Sequence, residues 1–266
     1  MLTIHLPDID VTDSEPLMHY MPAGYFRTLL DTRSLHAGRM DKQQKDPNHG
    51  LLPAANLTEA SRQDIATLCA IAPATNDAAA NFARSQAAAI NHDRRLAYVH
   101  SWTMRADEDF EMWKTHGENG RSVCIKTTAK RLKESLGIGP FPGQTINVHG
   151  IPVSIELKKC DYRSENSPKP VFPSYFATAG KGVGFRNERE VQVEAHLSID
   201  QALIRYEKSE PPTFQKLPVK FGYLFEAVFM GPLMDDATSE ELSGLANQHA
   251  GSTVARRSLI PQSAFS

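Results

Sequence analysis

The chain has 266 residues, with 29 basic against 31 acidic side chains and a formal net charge of −2, so no overall field draws it to nucleic acid or to an anionic membrane. A single domain of this length buries roughly three-quarters of the surface its unfolded form exposes, and needs neither disulfides nor a structural metal. The three cysteines, Cys69, Cys124 and Cys160, lack CxxC or Cys/His spacing and read as reduced packing residues.

No repeat or composition break divides the chain, which predicts one domain over residues 1–266 with a polar leader over 1–16. That leader, MLTIHLPDIDVTDSEP, carries acids and prolines where a signal peptide needs a basic start and an apolar stretch. No apolar run approaches spanning length. A cytoplasmic protein without a membrane partner is expected.

Leu17 to Tyr20 reads as a short strand. Pro22 then opens a helix whose Tyr25, Phe26, Leu29 and Leu30 recur at helical spacing. Ser34 to Gly38 is a second strand, and the polar stretch Asp41 to Gly50 an exposed loop. Ser61-x-x-Asp64 resembles a capping box, and the alanine-rich segment from Thr75 to about His92 has high helix propensity. Arg94 to Thr103 reads as a strand; Asp107 to Asp109 supply the negative charge that favours a helix start, and that helix ends near Gly117. Ser122 to Lys126, Val153 to Lys158 and Glu188 to Leu197 are the clearest strands. Gly180, Gly182 and Gly184 lead into the third of them. Leu224 to Met230 reads as an apolar strand, Ser239 to His249 as a helix, and Thr253 to Ser258 as a last strand. The fold class expected is α+β, a single domain with a mainly antiparallel sheet and helices concentrated in the N-terminal half.

Four pieces of sequence, in order, resemble the family catalogued as domain of unknown function 2971. They are Met18-His19-Tyr20 with Asp46-Pro47; Ser101-Trp102 followed by Met112-Trp113-Lys114-Thr115-His116-Gly117; Lys181 with Gly184-Phe185 and Asn187-Glu188-Arg189-Glu190; and Val228-Phe229-Met230-Gly231-Pro232. The chain departs from that pattern at Asn48-His49-Gly50, where an aromatic and an acidic residue are expected. The resemblance implies positions of interest and assigns no activity.

On the Glu188 strand the even positions are polar and the odd ones apolar, so Gln192, Glu194 and His196 are expected on a solvated outer face. Glu188 and Glu190 open that strand two residues apart and point the same way, a spacing of about 7 Å that suits work on one substrate. A carboxylate beside a sugar carbon stabilises an oxocarbenium-like transition state. With Ser101-Trp102-Thr103 on an upstream strand and His19-Tyr20 on an early one, the pattern resembles the layout of ADP-ribosyltransferases. That resemblance implies NAD as a substrate, Glu190 as the catalytic acid, Glu188 positioning the acceptor, Ser101 or Thr103 bracing the site, and His19 with Tyr20 holding the ribose and nicotinamide.

Two alternatives stand beside this. Glu156-Leu157-Lys158 matches half of a metal-dependent nuclease site, with Asp46 as a distant third member. A non-catalytic sensor would bind an anionic small molecule or nucleotide through Arg189, Lys181 and His116. Arg189, placed on the apolar side of its strand, needs an anionic partner. Phe110, Trp113 and His116 share a helix face that reads first as core, with Trp113 and His116 also candidates to reach a ligand. The histidines lack zinc spacing, and Gly180-Lys-Gly-Val-Gly184 lacks the spacing of a phosphate loop, so no metal site or dinucleotide fingerprint is expected. The sequence leaves the oligomeric state open.

Overall fold

The strands of the central sheet run from three to nine residues, and two of them, Pro16–Met21 and Val123–Thr128, divide their alternating side chains between two apolar layers. The computed structural model describes residues 10–43, 91–139, 145–148, 151–163, 180–197, 210–252 and 254–265. Strands β1 (Pro16–Met21), β2 (Ser34–Arg39), β3 (Ala97–Met104), β4 (Val123–Thr128), β5 (Thr145–Val148), β6 (Ile151–Lys159), β9 (Glu190–Leu197), β10 (Phe214–Pro218), β11 (Ala227–Met230) and β12 (Ala255–Arg257) form one sheet. Its order is β12-β11-β4-β1-β3-β9-β6-β5, with β2 pairing both β10 and β3. Only β11 and β12 run parallel in it; β7 (Asp161–Arg163) and β8 (Gly180–Gly182) form a separate parallel pair. The architecture is α+β with a mixed, mostly antiparallel sheet.

One face carries Leu17, Met21, Trp102, Val123, Ile125, Val191 and Val193. It is covered by helices α1 (Ala23–Thr32), α3 (Ala129–Leu136), α4 (Phe221–Leu224) and α5 (Asp236–Ala250), which contribute Phe26, Leu29, Leu132, Phe221 and Leu242. The opposite face carries Met18, Tyr20, Cys124 and Phe229 and is packed by Met112 and Trp113 of helix α2 (Phe110–Thr115). The alternation of β1 thus supplies both layers, Leu17 to one and Met18 to the other.

Several expectations change. The described helices are not gathered in the first half, since α4 and α5 lie beyond residue 220. Residues 94–96 are helical, and β3 starts only at Ala97. Leu224 closes a helical turn, so the apolar run after it yields a strand of Ala227–Met230 alone. Tyr25 is exposed although its helical neighbours are buried. The capping box at Ser61, Asp46-Pro47 and most of the alanine-rich segment lie outside the described residues. Among the described residues no helix is long and apolar enough to cross a membrane.

The seam between β1 and β3 positions the site. β1 pairs along its whole length with β4, yet meets β3 at only two pairs, Leu17 with Met104 and Met18 with Thr103. Further along, β3 takes β2 as its partner at Val99 and Tyr98. Between these contacts the ladder is interrupted, and the His19 ring fills part of the gap by donating from Nδ1 to the Ser101 carbonyl oxygen at 2.7 Å.

Candidate functional site

Three consecutive strands of the sheet, β1, β3 and β9, deliver His19 and Tyr20, Ser101 and Thr103, and Glu190 to one place. The register makes this direct, because Glu190 lies opposite Thr103, and Thr103 opposite Met18. A recess of about 100 Å³ is lined by His19, Tyr20, Ser101, Thr103, Glu188 and Glu190, with Met18, Trp102, Met112 and His116 completing its walls. Beside it lies a groove of about 850 Å³ between α1, β2 and the end of α2, and His19, Tyr20 and His116 line both spaces. The larger volume is in the range of small-molecule sites.

Glu190 is nearly buried, at 4% exposure. Its Oε1 accepts from Ser101 Oγ at 2.5 Å and from Gln192 Nε2 at 2.7 Å. Its Oε2 accepts from Lys181 Nζ. The backbone is fixed as well: Glu190 N–H donates to Tyr162 Oη at 2.6 Å, and its carbonyl accepts from Cys160 N–H at 2.9 Å. A carboxylate so held has little rotamer freedom left.

Glu188 arrives differently from the expected i, i+2 strand pair. Residues Val183–Glu188 form a 3₁₀ turn, and Arg189 takes a left-handed backbone, φ 47°, before β9 begins at Glu190. Such a conformation costs a non-glycine residue roughly 1–2 kcal/mol. The Glu188 carbonyl accepts from Thr103 Oγ1 at 2.5 Å, and Lys181 Nζ donates to its carboxylate at 2.6 Å. The two acids therefore share one ammonium instead of one strand face. Burial pushes the Glu188 carboxyl up, but His116, 3.4 Å away, and Lys181 outweigh it and bring it to about 2. Burial also opposes the charge on Lys181, and the two glutamates more than restore it.

The structure brings His19, Tyr20, Ser101, Thr103, His116, Glu188 and Glu190 to the recess. Trp113 does not line it. That ring is fully buried and meets Tyr20 edge-on at 4.9 Å, so it supports the site from behind. Tyr20 Oη accepts from Asp109 N–H at 3.1 Å, and Asp109 caps α2 through Met112 N–H. This ties the helix to β1 and sets His116, its C-terminal cap, beside Glu188. Arg189 is exposed and lies off β9, contrary to the expectation of a buried arginine, because the left-handed turn removes it from the strand's alternation.

The polar face of β9 is buried where a solvated face was expected. Gln192 and Glu194 are completely inaccessible, and Lys158 of the neighbouring β6 reaches Glu194 on this face. Lys158 Nζ lies 2.9 Å from Glu156 Oε2 and 3.0 Å from Glu194 Oε2. Burial raises the Glu194 carboxyl, but Lys158 and then His196 bring it down to about 2. Sequence reasoning missed Gln192 as a brace for Glu190, although its place two residues on, along the same face, was the available signal. Nothing in the sequence pointed to Tyr162.

His19 sits in a tight ring cluster, 4.4 Å from His100 and 5.2 Å from Trp102 between centroids. Burial and then His100 hold its imidazole well below the usual histidine value. Neutral at ordinary pH, with Nδ1–H committed to Ser101, it keeps its lone pair on Nε2. Among the described residues no cluster of three or more His, Cys, Asp or Glu side chains is placed to hold a metal ion. No protein-family model, curated protein or solved structure matches the chain.

Proposed function

We propose that the recess and groove form the active site of an NAD-consuming ADP-ribosyl transferase. The observation that carries this reading is the meeting of His19, Ser101 and Glu190 from three neighbouring strands at one recess that adjoins a groove large enough for a nucleotide. In this reading the bond between nicotinamide and ribose C1′ breaks, nicotinamide leaves with the electron pair, and positive charge develops on the ribosyl ring. Glu190, pinned by Ser101 and Gln192, faces that charge without having to reorganise. Glu188 orients the acceptor, whose attack on C1′ completes the transfer. His19 and Tyr20, common to both spaces, hold the ribose.

Lys181 supports the same electrostatic reading. The two acids already hold one cation between them, which marks a place where positive charge is stabilised. It is the resting occupant and withdraws when substrate enters. The anion-binding alternative finds less support, because Lys181 and His116 are matched by Glu188 and Glu190 and Arg189 is exposed. The test is nicotinamide release from labelled NAD by the purified full chain. Glu190→Gln is expected to lower that rate by about 10²- to 10³-fold, typical for loss of one charge-stabilising group, while leaving NAD binding intact. No release by the wild-type chain, or equal release by the variant, refutes the reading.

A further inference from the structure

The groove of about 850 Å³ carries two features that the recess does not use. The first is exposed aromatic surface. Phe214 opens β10, whose register with β2 sets Phe214 opposite Gly38 and Lys216 opposite His36. The His36 and Phe214 rings are therefore diagonal neighbours on one face, and they stack at 5.5 Å with 14° between their planes. Phe214 remains 49% exposed, and Tyr25 of α1, lining the same groove, 68%. The second is a single firm cation. Among the described residues Lys114 is the only lysine or arginine that lines the groove. It is exposed, lies 5.9 Å above the Phe110 ring and makes no ion pair among the described residues. The histidines do not duplicate it: burial and then a neighbouring cation hold His36 below its ordinary value, burial holds His100 at about 4, and His116 faces Glu188 at 3.4 Å.

We propose that the groove is a nucleoside diphosphate site, with the base stacked on Phe214 and the phosphates beside Lys114. An apolar ligand would use the rings and leave the ammonium idle, and a free inorganic anion would do the opposite; a ligand with one planar and one anionic part uses both. Stacking on an aromatic side chain tolerates any base, because every base has a π-face. The direction of the ligand rests on the NAD reading, which places the nicotinamide ribose at the recess of about 100 Å³. That recess is too small for more than a fragment of the dinucleotide, so the adenosine diphosphate half has to lie in the groove, which shares His19, Tyr20 and His116 with it.

The experiment is calorimetric titration of the wild-type full chain with ADP, adenosine and inorganic pyrophosphate, repeated with Phe214→Ala and Lys114→Gln. ADP is expected to bind more tightly than either of the other two. Phe214→Ala weakens ADP and adenosine alike, by about five- to hundredfold. Lys114→Gln weakens ADP by about two- to fivefold, the worth of an exposed charge pair, leaves adenosine unchanged, and loses its effect at high salt. ADP that fails to bind, or binds no more tightly than pyrophosphate, overturns the site, and that comparison needs no variant to fold. Unchanged ADP affinity in a folded Phe214→Ala overturns it too, as does a Lys114→Gln that weakens adenosine as much as ADP. The expected pattern without nicotinamide release from NAD sustains the nucleotide site and sinks the transfer reaction. Nicotinamide release by a chain that does not bind ADP sinks the site and leaves the transfer standing.

Discussion

Replacing Lys158 by methionine tests the buried charge beneath the candidate site. Lys158 holds Glu194, which is completely buried, and Glu156, whose side chain is 26% exposed. The Glu194 carboxyl stands at about 2 against an ordinary 4.5, a gap equivalent to about 3 kcal/mol. Because the folded-state value is the lower one, that stabilisation is complete above the ordinary value and disappears as pH falls through about 2. Methionine fills similar space and leaves Glu194 with the partly exposed His196, at 3.1 Å, as its remaining partner. Breaking such a pair costs about 3–5 kcal/mol, so the melting temperature at about pH 7.5 is expected to fall by roughly 6–10 °C for a domain of this size. At about pH 4.5 the unpaired carboxyl takes up a proton in the variant, and the gap to wild type narrows by at least about half. Thermal melts at the two pH values measure this. An identical gap at both, or a variant that melts with the wild type, refutes the account of Lys158 as an internal counter-ion and reopens its reading as a group that steadies an attacking water.

Lys181→Met removes the cation shared by Glu188 and Glu190. The expected outcome is faster nicotinamide release from NAD together with a lower melting temperature; loss of release would instead make Lys181 part of the catalytic apparatus. Gly231→Ala is expected to destabilise the fold by about 1–3 kcal/mol in denaturant titration, because a methyl there runs into the Gly120 carbonyl oxygen and lies 2.7 Å from that of Ser122. Those neighbours are backbone and cannot step aside.

The strands were legible where alternation was strong. The late strand was found from period-two patterning, though it was expected from Glu188 and begins at Glu190, whereas Leu17 to Tyr20 was read as a strand without such alternation and buries both Leu17 and Met18. What that pattern does not report is which face meets solvent. A polar face reads as wet, yet Gln192 and Glu194 are buried, with Lys158 supplying the charge opposite Glu194. The Glu188 misplacement has a local cause: nothing in Asn-Glu-Arg-Glu announces that Arg189 adopts a left-handed backbone. The paired acids were found, but their common partner was not, because Lys181 precedes Glu188 by seven residues and reaches it through a turn. Two glycines singled out by motif have packing reasons. A methyl on Gly117 would lie 2.6 Å from the Trp113 carbonyl oxygen, and Gly231 is equally confined.

The sparse seam between β1 and β3 has a mechanical consequence. Among the described residues, two rungs, at Leu17 and Met18, and the His19 hydrogen bond to the Ser101 carbonyl join the β4 side of the sheet to the β9 side along that line. Two plates fastened at one end part at the other like the jaws of a peg, so an occupant gripping His19 and Ser101 at once braces both plates. Slower amide exchange would then spread along β4, a strand the occupant need never touch, and along β9 beyond Glu190.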